Sequence, residues 1–194
     1  MTNSTPGQGQ ASDGGCQDAP LAGHGVFQEW LEAMHPRLAG LADFLLPRDF
    51  PFDYSRGSLA RLEEILLDTF AERRSVYAVN HRDFLDRCAR YIGETLIRNF
   101  GGEWRYHTDR DAIFAGVPHL VNDDGTDVPV APLYLVASLA SRRTGHELTS
   151  VFDGTAQQYV SHHGKQRVPA TAAASPGQLN EPKLNDAEAL FLER

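Results

Sequence analysis

Apolar residues follow two different periods along this chain, and the change between them falls at Gly101-Gly102. Ahead of the glycines, Phe27, Trp30, Leu31, Met34, Leu38, Leu41 and Leu45 recur at intervals of three and four, which predicts helix from near Val26. Pro36 lies inside that pattern and should kink or split it, since its ring crowds the preceding turn and supplies no backbone donor. Residues 46–58 contain Pro47, Pro51 and Gly57 and read as a loop. A second helix is expected over residues 59–73, with Ser58 as its N-cap and a stripe of Leu59, Leu62, Ile65, Leu66 and Phe70. Arg73 and Arg74 would close it, where cations suit the negative end of the helix dipole.

The third helix has the clearest signals. Asn80 can cap it, Asp83 sits in its first turn, and Phe84, Leu85, Cys88, Tyr91, Ile92, Leu96 and Phe100 line one side before the glycines stop it. Asp83 with Arg87, Asp86 with Arg90 and Glu94 with Arg98 stand four apart on the other side. That spacing reads as a solvated face carrying weak ion pairs.

Beyond the glycines, Trp104 and Tyr106 alternate with polar neighbours, so residues 103–108 read as a half-buried strand. Residues 112–121 form a second strand, with Gly116 and Pro118 implying a bulge or an edge. Asn122-Asp123-Asp124-Gly125 is a turn signal, and residues 128–130 supply a third short strand. Pro132 opens a helix running to Arg143, residues 148–152 read as strand, and Asp153 caps a short last helix ending near His162. The order implies an α+β fold, with helices packed on one face of a small antiparallel sheet. That single domain spans residues 26–163, between a disordered tail at 1–25 and a flexible segment at 164–194. Within the latter, residues 186–192 have the amphipathic spacing of a short helix able to dock on the body or on another chain.

Charge narrows the list of partners. Eighteen basic against 26 acidic side chains give a net charge of −8, which disfavours nucleic acid and favours a basic protein partner or a small ligand. Cys16 and Cys88 make no disulfide framework, and Cys88, on an apolar helix face, reads as a buried thiol. No apolar run reaches membrane-spanning length, and residues 1–15 lack the pattern of a secretory signal, so no membrane contact and a cytoplasmic location are expected.

Linear motifs for chemistry are sparse. There is no nucleophile elbow, phosphate-binding loop, dinucleotide fingerprint or paired-histidine metal helix, so neither a cofactor nor a metal is expected. His107 and His119 can face each other across the hairpin, with Asp109 or Asp111 nearby. The turn Asp123-Asp124-Gly125-Thr126-Asp127 lacks the frame of a calcium loop and reads as an Asx-rich turn that can meet a basic partner.

The run Arg90-Tyr91-Ile92-Gly93-Glu94-Thr95-Leu96, then Gly101-Gly102-Glu103-Trp104, then residues 129–132, resembles a pattern in small bacterial domains. Some of these are similar to immunity or accessory proteins of toxin systems. The resemblance covers residues 84–145 and implies structural roles: Gly93 admits a close neighbour, and Trp104 anchors the first strand. It assigns no catalytic residue. Two readings follow. The first is a non-enzymatic protein-binding module, immunity-like or an adaptor, that meets a basic partner through Asp123, Asp124, Asp127 and Glu94. The second is a small-molecule enzyme or enzyme accessory built on His107, His119 and Asp111.

Overall fold

A computed structural model of the chain describes residues 18–121 and 129–163. Helix α1 (Asp18–Glu32) begins earlier than the periodicity implied, and α2 (Met34–Phe44) follows after a one-residue break. Pro36 therefore splits the pattern as expected, and it stands in the first turn of α2, where its missing donor costs least. Helix α3 (Arg56–Thr69) starts ahead of the expected position. Ser55 is its N-cap, accepting from the Ser58 N–H at 3.0 Å, and Ser58 itself is buried in the first turn. The helix stops at Thr69, so Arg73 opens the short α4 (Arg73–Val76) instead of closing α3.

Helix α5 (Arg82–Phe100) is the longest element. A 3-10 turn at Val79–His81 precedes it, and no side chain caps its start, Asn80 included. Gly101 and Gly102 end it with φ of 82° and 94°, conformations that a β-carbon would oppose. Strands β1 (Glu103–Arg105) and β2 (His119–Val121) pair antiparallel with Trp104 opposite Leu120. Both are shorter than the alternation suggested, because Gly116 (φ 72°) and Pro118 interrupt the second. The third strand reduces to one bridge, between Leu120 and Val130. Pro132 does open α6 (Pro132–Arg142).

The largest departure is α7 (Glu147–His163), a single helix where a strand and a capped short helix were expected. Leu148 and Phe152 suit a strand locally, but four apart on a helix they both reach the core. Asp153 is consequently mid-helix, where it forms a bidentate pair with Arg56 at 2.7 Å.

The fold is α+β: seven α-helices and a two-stranded ribbon among the described residues. Its core joins Leu41, Leu62, Leu66, Phe70, Tyr91 and Leu139, with Cys88 fully buried among them. Two polar contacts fasten α3 to the last helices. The buried carboxylate of Glu63 accepts from the Glu147 and Leu148 N–H groups at 2.8 Å each, capping α7 from another helix. In return, Arg143 (φ 53°) donates to the Phe70 carbonyl at 2.7 Å and the Leu67 carbonyl at 3.1 Å, closing the end of α3. Each contact satisfies backbone groups that a helix end leaves open.

Candidate functional site

The polar side of α5 is not the solvated face its spacing suggested, because α1 and α2 fold over it. Arg90 is only 2% exposed. Its guanidinium lies 3.9 Å from the Trp30 ring centroid, donates to the Trp30 carbonyl at 2.6 Å and pairs with Asp86 at 2.8 Å. Asp86 also accepts from the Trp30 indole N–H at 2.8 Å, so both its oxygens are engaged. One turn earlier, Arg87 reaches across Gly40 to the Arg37 carbonyl at 3.0 Å, where a β-carbon on Gly40 would overlap the guanidinium. Hydrogen bonding to Arg87, reinforced by the charges of Arg87 and Arg37, holds the Asp83 carboxyl below its ordinary range.

A second contact fixes the ribbon. The Trp104 indole lies on Gly93, where a β-carbon would collide with the ring, so the structural roles expected of these two residues hold. Glu94 accepts from the Trp104 indole N–H at 3.0 Å and stands 3.7 Å from Arg98. Its side chain is 18% exposed. Glu94 is therefore a clasp between helix and strand, and not the free surface carboxylate expected of a partner contact.

The Trp30 and Trp104 rings meet edge to face, 4.9 Å apart between centroids, and beside them opens a cleft of about 330 Å³. Trp30 of α1, Leu85, Asp86 and Ala89 of α5, Trp104 of β1 and Leu133 of α6 are among its walls, and the exposed Tyr77 and Arg82 also line it. The surface is mainly hydrocarbon and aromatic. Its wall polar groups, both indole N–H groups and the Asp86 carboxylate, are all bonded within the protein. Among the described residues, the Arg82 guanidinium and the Tyr77 hydroxyl have no protein partner. The volume lies at the lower end of ligand pockets, which run about 300–1,000 Å³. The sequence carried one sign of this cleft: Leu85, Ala89 and Gly93, four apart, mark a second buried stripe on α5.

The histidines expected to meet do meet. The rings of His107 and His119 are 4.8 Å apart between centroids and inclined by 32°. His119 is 1% exposed, with Nδ1 3.0 Å from the Val117 carbonyl and Phe114 on its flank. Burial pushes its pKa down, against the Val117 contact, and the nearby His107 and Arg105 charges add to the depression. Asp111 stays exposed. Its N–H bonds the Asp109 carboxylate at 3.0 Å, and it makes no hydrogen bond to either ring. Asp123, Asp124 and Asp127 lie outside the described residues, as does the helix expected at 186–192.

Among the described residues, no three His, Cys, Asp or Glu side chains converge as metal ligands, and no helix is long and apolar enough to cross a membrane. Burial raises the Cys88 thiol pKa far above its usual range, which leaves the sulfur unreactive. The chain matches no protein-family model, no curated protein and no solved structure.

Proposed function

We propose that this chain is a non-enzymatic binding domain whose recognition site is the cleft lined by Trp30 and Trp104. One observation carries the proposal. The cleft is apolar and open, and the polar atoms of its walls are already satisfied, so it can hold a small apolar group but offers no base beside a nucleophile. Two tryptophans and a tyrosine supply large contact area at low entropic cost. Such a site suits an immunity-like or adaptor role as well as capture of a free small molecule.

Both tryptophans of the chain line this cleft, which provides the test. Titration with a neutral probe, 3-phenylpropan-1-ol, should change tryptophan fluorescence saturably. Ala89→Leu and Leu133→Phe, each narrowing the cleft, should weaken that binding while the circular-dichroism spectrum stays unchanged. Equal probe affinity in both variants would contradict the proposal.

The ring contact at 4.8 Å favours a second reading, a small-molecule enzyme or accessory working through His107 and His119. That reading predicts that His107→Ala abolishes turnover of a substrate that the Ala89→Leu variant still converts.

A further inference from the structure

The polar groups of the cleft also indicate the charge of what it takes. Resting on the reading of the cleft as a recognition site, we infer that its ligand is a small aromatic carboxylate, with the ring against the contacting pair Trp30 and Trp104 and the carboxylate on Arg82.

Arg82 is the first residue of α5, exposed at the cleft and without an acidic partner among the described residues. Its neighbours explain why. Asp83, one residue on, belongs to Arg87 and Arg37, and Asp86, one turn on, belongs to Arg90 and Trp30. The two acidic groups nearest Arg82 along α5 are therefore engaged elsewhere. A guanidinium in this situation is a ready donor for a carboxylate, which it can hold by two parallel bonds. The Tyr77 hydroxyl, also without a protein partner among the described residues, adds a third donor at the same opening.

Asp86 is the one acidic side chain in the lining. It would favour a cation only if its charge were free, and Arg90 at 2.8 Å cancels it. A ligand amine would instead meet the uncompensated charge of Arg82. The apolar body follows from the walls: the indole N–H groups point into Asp86 and Glu94, so the ring surfaces and the side chains of Leu85, Ala89 and Leu133 are what a ligand touches. The volume of about 330 Å³ limits the ligand to about one ring and a short chain.

Fluorescence titration of the full chain with three probes of one shape tests the assignment: 3-phenylpropionate, 3-phenylpropan-1-ol and 3-phenylpropylamine. The carboxylate should bind about tenfold or more tightly than the alcohol, and the amine weakest of all. Arg82→Gln should bring carboxylate and alcohol to similar affinity, and Tyr77→Phe should give a smaller loss of the carboxylate preference. An amine that binds as well as the carboxylate, or a carboxylate preference that survives Arg82→Gln, would overturn the inference. If the alcohol binds in the cleft without any preference for the acid, the charge assignment fails while the recognition site stands. Failure of all three probes removes both. A peptide ending in phenylalanine that binds more tightly than the free acid, and loses that advantage on amidation, would replace the small molecule by a protein C-terminus.

Discussion

Helix α5 separates two regions that use the same side chains to opposite ends. On one side α3, α6 and α7 are joined by groups that are fully consumed: Glu63 holds two N–H groups of α7, Arg143 holds carbonyls of α3, and the Tyr91 hydroxyl donates to Ser58 at 2.7 Å while accepting from the Tyr54 N–H at 3.1 Å. Burial pushes the Tyr91 pKa up to about 12, so it remains a neutral donor. On the other side α1, α2 and the ribbon are also tied to α5, through Arg90 and Trp104, but the ties leave a cleft. The first region stores stability. The second leaves a mainly apolar cleft and, among the described residues, two donors without a protein partner.

The comparison is broken most severely at Glu63. Glu63→Ala leaves two buried N–H groups without acceptors and should lower the unfolding free energy by about 3 kcal/mol or more, read from urea titration. Probe binding at temperatures where the variant remains folded should not change. Gly93→Ala works on the other region. Its β-carbon displaces the Trp104 indole, for an expected loss of about 1–3 kcal/mol, with a shift in tryptophan emission and weaker probe binding. A variant that lost stability but kept full probe affinity would show that the ribbon does not shape the cleft.

The pH dependence sharpens the contrast further. His119 has a depressed pKa in the fold, so the unfolded chain binds its proton first, at about pH 6.5. Its contribution to stability is therefore complete above that pH and is lost as pH falls towards the lower folded value. The slope is bounded by one proton, about 1.4 kcal/mol per pH unit. His119→Leu should flatten the slope of stability against pH between 6.5 and 5, and an unchanged slope would assign it to other groups. The smallest effect belongs to Arg56 and Asp153, an exposed pair despite its two contacts at 2.7 Å. Solvent screens it, and Arg56→Ala should change stability by less than about 1 kcal/mol in thermal melts.

What the sequence shows and what it hides divide along similar lines. Local signals were legible: the split before Pro36, the glycines closing α5, Pro132 opening α6, and the meeting of His107 with His119. Long-range polar partners were not. Glu63 caps a helix start 84 residues away, and its only trace is a carboxylate standing between Leu59 and Leu66 on an otherwise apolar stripe. Arg90 reads as surface by spacing alone, because nothing local shows that α1 will cover it. Helix α7 was misread since Leu148, Val151 and Phe152 favour strands as readily as helices, and only packing against α3 and α5 decides between them. The cleft draws on α1, α4, α5, α6 and β1 together, so no single segment announces it.

Nitrogen-15 labelling reads the cleft directly through the two indole N–H signals of Trp30 and Trp104. Addition of 3-phenylpropionate should move both signals together along one saturation curve, and Ala89→Leu should suppress both shifts. Signals that stay in place while resonances elsewhere in the chain respond would contradict the assignment of this cleft as the recognition site.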